Sequence, residues 1–472
     1  MFGFEWTVET QIAFLTTLNI LLIVLPSGLT VHILLHKSDP KSSLLWLALI
    51  WFAPIFGAVF YLMFGINRIS RRAQNLLNDT ELGFSEQSEI MPEATLSDNA
   101  ETDFIKLGTT LTGTVRTHGN SLEIVEGVDF IHAKMIEKIA TAQTSILLST
   151  YIFRRDYLGR AMAQALVEAD QRGVDVKVLL DGVGNGLFRS RIYRQLKKGG
   201  VEVERFLHSV WPWRMPYLNL RNHRKLLVID GVEGFTGSLN IGFVTNLETQ
   251  FHLRGPIISH LIQAFSLDWK MAGGKPLPSM SSHHEAETAG AVSARGVLSG
   301  PIYPRERLRW LMLGRMAAAK DNIRIVTPYF IPDQGLLSGL VIAALRGVKV
   351  EILLPERSNY PFADWASRRQ IQELVRAGCD IYLRDDVFDH SKIITVDGQW
   401  ALIGSSNWDA RSLRLNFEFD IECESSDFVT VLDIVINERR LKASRLESLT
   451  YAQRSIFLKL RDGIGRLLLP YL

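Results

Sequence analysis

The chain has 472 residues, more than one ordinary core spans, so several domains are expected. Its 52 Lys and Arg offset 50 Asp and Glu, which removes the global positive field expected of a nucleic-acid binder. Two cysteines, Cys379 and Cys423, exclude a disulfide framework or a cysteine metal cluster and fit a reducing compartment.

Apolar residues crowd the N-terminus. Ile12 to Leu35 is long enough to cross a hydrocarbon layer of roughly 30 Å, and Leu44 to Gly65 is a second run of similar length. His36, Lys37, Asp39, Pro40 and Lys41 form a polar turn between them. Residues 1–72 therefore read as a membrane anchor with two transmembrane helices, at about 12–35 and 44–65, in a hairpin. Trp46, Trp51 and Tyr61 add aromatic residues of the kind found at interfaces. Met1 to Glu9 has Glu5 and Glu9 but no Lys or Arg, and the first run exceeds a signal-peptide core, so no cleavage is expected. Arg68, Arg71 and Arg72 outnumber Lys37 and Lys41, which favours a cytoplasmic side for the rest of the chain. Residues 73–105 are polar and acidic and read as a linker.

Beyond the linker the sequence repeats. Arg172 to Leu180 and Arg346 to Leu354 each leave a helical run through Arg-Gly-Val into a strand. Gly199 to Val203 and Ala377 to Ile381 each stop a helix and open another strand. The halves span 106–273 and 297–472. The break between them, 274–296, is rich in Pro and Ser, and its adjacent His283 and His284 read as solvated linker. Helix and strand alternate in the same order twice, which predicts an α/β fold of two similar layered halves packed together.

One constellation recurs at constant spacing. His223, Lys225, Asp230, Gly231, Gly237, Ser238 and Asn240 are matched by His390, Lys392, Asp397, Gly398, Gly404, Ser405 and Asn407. Asn246-Leu247-Glu248 is echoed by Asn416-Phe417-Glu418 at a slightly different offset. On a strand, residues two apart share a face, so each His projects with its Lys. Displacement at a phosphodiester needs a nucleophile, a proton donor for the leaving alkoxide, and groups that hold the charge on the phosphoryl oxygens. Each half supplies one His, one Lys and a Ser/Asn pair, so neither half is complete alone. Asp230 and Asp397 precede glycines, a turn signal, and their expected task within the motif is to hold the loop.

This paired pattern resembles the phospholipase D superfamily, and with the N-terminal hairpin the layout resembles its bacterial cardiolipin synthases over nearly the whole chain. The resemblance implies two phospholipase-D-like halves whose His-Lys-Asp motifs meet at their interface. His223 would become phosphorylated, while His390 would serve as general acid and then as base. Lys225 and Lys392, with Ser238, Asn240, Ser405 and Asn407, would hold the nonbridging oxygens. Glu248 and Glu418 are candidates to orient the imidazoles, and no metal or other cofactor is implied. Two imidazoles in one site must be kept in different protonation states and would titrate together.

The resemblance further implies transfer of a phosphatidyl group between two phosphatidylglycerol molecules, giving cardiolipin and glycerol, by a multi-pass protein of the bacterial inner membrane. Attack by water instead would make the chain a phospholipase D, and another alcohol would make it a different phosphatidyltransferase. Phospholipids and the membrane are the expected partners. A tethered nuclease would show a basic stripe, and an inactive lipid-binding scaffold would be expected to have lost part of a motif; neither feature is present. Val210 to Leu218, with Trp211, Trp213 and Tyr217, reads as a loop that dips toward lipid or packs over the core. Tyr451 to Leu472 reads as a basic amphipathic tail that lies on an anionic surface or packs on the domain.

Overall fold

A computed structural model describes residues 7–37, 40–65, 100–186, 190–208, 220–242, 245–277, 288–303, 306–447 and 455–467. The chain divides into two compact units, Met1–Ala73 and Gln74–Leu472.

In the first unit an apolar helix runs over Val8–His36, 29 residues, with a π-helical turn at Ile20–Val24. At 1.5 Å per residue it is about 44 Å long, enough for the hydrocarbon layer. The second apolar run does not form the single helix expected over 44–65. Pro54 bars the helical conformation from the residue before it, and Ala53 sits at φ −138°, ψ 71°. The run breaks into Pro40–Phe52 and Pro54–Phe60, the latter continued by a π-turn at Tyr61–Gly65. Gly57 lies against the backbone of Leu49 and Ile50, where a β-carbon would collide, so the second piece folds back on the first. Each piece is shorter than one crossing requires. Polar side chains tie these helices together: His32 Nδ1 lies 2.8 Å from the Tyr61 hydroxyl, and Trp51 Nε1 donates to Thr30 Oγ1 at 3.0 Å.

Among the described residues the second unit is built on one long sheet of fifteen strands and a separate two-stranded sheet. Its first half contributes β1 (Thr117–Glu126), β2 (Ser145–Thr150), β3 (Asp175–Asp181), β4 (Glu202–Phe206), β5 (Leu226–Ile229), β6 (Glu233–Gly237), β7 (Asn246–Leu247) and β8 (Thr249–Arg254). The second contributes β9 (Val292–Ser299), β10 (Asn322–Val326), β11 (Lys349–Pro355), β12 (Asp380–Arg384), β13 (Phe388–Asp389), β14 (Ile393–Val396), β15 (Trp400–Gly404), β16 (Glu418–Glu424) and β17 (Ser444–Arg445). The order is β17-β12-β11-β10-β14-β15-β16-β9-β1-β8-β6-β5-β2-β3-β4. Apart from β17 at one edge, this order reads equivalently from both ends, and antiparallel β9 and β1 join the halves at its centre. The two similar α/β halves expected from the repeat are therefore present and continuous.

Each half has its own core. Ile146, Leu148, Val176 and Val178 pack with Met162 and Leu166 of the helix Tyr157–Gln171. Ile323, Ile325, Val350 and Ile352 pack with Leu336 and Leu340 of Gln334–Leu345. On β3, β10 and β11 the opposite face carries Lys177, Arg324 and Glu351, so these strands alternate apolar and charged residues.

The outer boundaries differ from those read in the sequence. Residues 73–99 of the acidic linker, Arg68, Arg71, Arg72 and the Val210–Leu218 loop lie outside the described residues. The linker's last residues begin the helix Ala100–Thr112, whose Leu107 and Leu111 enter the core of the second half. Arg295 of β9 fastens it there by donating to Thr109 Oγ1 at 3.1 Å. The break at 274–296 ends early, because β9 starts at Val292 to pair with β1 and β16. In the tail, the helix Ile456–Leu467 packs on Pro361–Arg376: Gly465 abuts Trp365, and the Arg461 guanidinium stacks 4.7 Å from the Trp365 ring.

Candidate active site

Each histidine sits in an extended segment that leaves its own half. Phe417 N donates to Arg221 O at 2.8 Å and His223 N donates to Phe417 O at 2.9 Å. In the mirror arrangement β13 pairs with β7, and His390 N donates to Leu247 O at 2.8 Å. The Asn-x-Glu segment of one half thus runs beside the histidine of the other. His223 Nδ1 lies 2.8 Å from Glu418 Oε2, and His390 Nδ1 lies 3.0 Å from Glu248 Oε2. With each Nδ1 held by a carboxylate, Nε2 is the ring nitrogen left for chemistry.

Alternation along the strand positions the rest. Asn222 and Arg224 point away from the cavity: Asn222 Nδ2 donates to Asp268 Oδ2 at 2.8 Å and Arg224 Nη1 to Asp268 Oδ1 at 2.6 Å, all buried. Asn222 N also donates to Asp181 Oδ2 at 2.8 Å. The second half inverts the charges. There Asp389 is in the histidine segment, and Arg439 comes from the helix Ser426–Leu441, 3.0 Å from Asp389 Oδ2. The sequence reading missed both pairs, whose only signal was alternating polar residues flanking each His.

Both lysines are buried and donate to the carbonyl of their own histidine, Lys225 to His223 O at 2.7 Å and Lys392 to His390 O at 2.5 Å. Burial pulls Lys225 down to about 8 and Lys392 to about 7, against neighbouring glutamates. Burial, with Lys225, Lys392 and His390 nearby, drives His223 well below the usual histidine value. Burial also lowers His390, although Glu248 opposes the shift. The two carboxylates differ. Burial disfavours the charge on Glu248, but His390, Lys392 and the Ser238 hydroxyl outweigh it and hold Glu248 below its ordinary value. Burial pushes Glu418 up to about 7 in spite of Lys225 and Ser405.

The serines are not where they were expected. Ser238 Oγ donates to Glu248 Oε2 and Ser405 Oγ to Glu418 Oε2, each at 2.5 Å. Ser238 and Ser405 also accept from Thr249 N and Phe419 N, so both hydroxyls are used in bracing the glutamates. Asn240 and Asn407 do line the cavity, each with a buried Oδ1 lacking a hydrogen-bond partner. Asp230 and Asp397 hold loops. Asp230 accepts from the backbone N–H of Gln143, Thr144 and Ser145, and Asp397 from those of Lys320, Asp321 and Asn322. Both have positive φ, 52° and 53°, and each is followed by a positive-φ glycine, the conformation of an Asp-Gly hairpin turn.

The histidines open into a cavity of about 600 Å³ whose walls also include Tyr151, Arg221, Tyr329, Tyr360 and Arg411. Sequence reasoning did not single these out. Tyr151 and Tyr329 had a signal, since each follows the equivalent strand, β2 or β10. A second, more apolar cleft shares Tyr329 and Ala363 with it but contains neither histidine. Among the described residues no group of three or more His, Cys, Asp or Glu side chains is arranged to hold a metal ion.

The cardiolipin synthase, PLD-like domain family matches residues 135–269 and again 312–439, and the phospholipase D-nuclease N-terminal family matches residues 27–65. The chain is 31% identical to a cardiolipin synthase of Oceanobacillus iheyensis, over 96% of this chain and 98% of that protein. It is also 31% identical to the major cardiolipin synthase of Bacillus subtilis, over 96% of this chain and 97% of that one. Among solved structures, phosphatidylserine synthase of Haemophilus influenzae matches with a TM-score of 0.61 at 14% identity, covering 79% of this chain and 100% of that one, a likeness of fold. The doubled domain match and the near full-length relatives together show that the chain belongs to the cardiolipin synthases of the phospholipase-D-like superfamily.

Proposed function

We propose that the chain transfers a phosphatidyl group from one phosphatidylglycerol to another, giving cardiolipin and glycerol, through a phosphohistidine on His223. The observation that carries this reading is the pair of imidazoles in one cavity, each braced at Nδ1 by a glutamate of the opposite half. Nε2 of His223 attacks phosphorus, the bond to the glycerol oxygen breaks, and His390 delivers a proton to that oxygen. The hydroxyl of the second phosphatidylglycerol then attacks, the P–N bond breaks, and His390 takes the hydroxyl proton.

The electrostatic asymmetry supports this division of roles. An ionised Glu248 favours the imidazolium form of His390, which an acid must reach, and the strongly lowered His223 is a neutral nucleophile. Lys225 and Lys392 supply positive charge to the phosphoryl oxygens, and Asn240 and Asn407, in the cavity wall, supply amide NH2 donors. We assign Ser238 and Ser405 to bracing Glu248 and Glu418. We also propose that Val8–His36 anchors the chain in a bacterial inner membrane, followed by the second apolar run broken at Ala53–Pro54, with the catalytic unit on the cytoplasmic side.

The test is incubation of the purified chain with labelled phosphatidylglycerol in mixed micelles containing chelator, beside His223→Ala and His390→Ala. Cardiolipin and glycerol from the parent, and neither from the variants, is the expected result. Phosphatidic acid alone would make the chain a phospholipase D. No lipid turnover would overturn the reading.

A further inference from the structure

The walls of the cavity carry arginines that the transfer steps above do not use. Lys225 and Lys392, proposed to serve the phosphoryl group under attack, are buried at the carbonyls of their own histidines, whereas Arg154 and Arg221 of the first half and Arg411 of the second line the cavity itself. Arg221 is placed by the same alternation as the histidine. Residues 222 and 224 turn to Asp268, so 221 and 223 face the cavity, two residues or about 6.6 Å apart along the extended segment. That spacing is of the order of the five-atom O–C–C–C–O bridge between the two phosphorus atoms of cardiolipin.

The repeat is broken at this point. Phe388 occupies in the second half the position that Arg221 holds in the first, with its ring 6.0 Å from that of His390. Arg221 therefore has no counterpart in the histidine segment of the second half. Burial and the neighbouring Arg221 push Arg411 below the ordinary arginine value, although Asp409 and Asp181 oppose the shift.

We infer that Arg221 and Arg411 form the acceptor subsite, binding the phosphodiester of the incoming phosphatidylglycerol so that its free hydroxyl is directed at the phosphoryl group on His223. The inference rests on the phosphatidyl-transfer reading above and adds what selects a lipid acceptor over water or glycerol, neither of which carries a phosphate.

The experiment is a competition in the full-length chain between two acceptors, phosphatidylglycerol and labelled glycerol, whose attack merely regenerates phosphatidylglycerol. Both use the same phosphohistidine, so the ratio of cardiolipin formed to glycerol exchanged reports the acceptor step alone and is independent of the folded fraction. In R221Q and R411Q the ratio should fall about tenfold each, as loss of a charge-assisted hydrogen bond implies, with phosphatidic acid rising; R221K and R411K should recover part of it. Cardiolipin and exchange falling in proportion, or a ratio within about twofold of the parent, would overturn the subsite. A parent that exchanges glycerol but makes no cardiolipin would instead overturn the choice of acceptor in the functional reading, and the subsite would fall with it.

Discussion

His223 and His390 occupy equivalent places in the repeat, but their carboxylate partners carry different charge near neutrality, and that difference has kinetic consequences. If His390 protonates the leaving alkoxide, His390→Ala should lose about 10²- to 10⁴-fold in kcat on phosphatidylglycerol. A phosphatidyl ester with a p-nitrophenol leaving group, which departs without a proton, should recover most of that loss in His390→Ala and none in His223→Ala. Equal recovery in both would reverse or remove the assignment. The pH dependence follows from the buried groups. As pH rises through about 7 and about 8, Lys392 and Lys225 lose the charges proposed to hold the phosphoryl oxygens. As pH falls below about 7, Glu418 takes up a proton and ceases to be an anionic partner for His223. Initial rates should therefore trace a narrow bell centred near neutrality, and a plateau from about pH 6 to about pH 9 would contradict these ionisations.

At the scale of elements, the motif aspartates and the inverted ion pairs hold the histidine segments in place. Asp397→Ala leaves three backbone N–H groups without their carboxylate and should cost about 1–3 kcal/mol, read as a lower denaturant midpoint. Arg224 and Asp268 are fully buried, so Arg224→Ala strands a carboxylate and should cost about 3–5 kcal/mol, while replacing both by apolar residues should be far milder. Equal losses in the single and double variants would show that packing, and not the stranded charge, sets the cost. The Asp-Gly turns were legible because positive φ leaves a local residue signature. The Arg224–Asp268 and Arg439–Asp389 pairs were not, because their members lie in elements far apart in sequence and exchange places between halves.

At the scale of the molecule, the palindromic sheet makes each half the supplier of the other's carboxylate, so no single half contains a complete His–Glu pair. Membrane topology is decided at this scale as well. With two crossings, single cysteines placed at the N-terminus and in the linker should both react with reagent only after the inner membrane is opened. A single crossing, with the Pro54 break turning the second run back, would put them on opposite sides and make one of them reactive in intact cells.

The sequence by itself determined the repeat, the α/β alternation, the His-Lys pairs and the turns that support them, because these depend on residue type at short, constant spacing. Only the tertiary structure decided that Glu418 braces His223, across 195 residues, and that Glu248 braces His390. It also turned the two serines onto those glutamates, broke the second apolar helix at a proline whose neighbour was forced out of the helical region, and brought Arg221 and Arg411 to one cavity. Local periodicity says which face of a strand a side chain shares; which partner meets that face is set by how distant strands pair, and no short pattern records it.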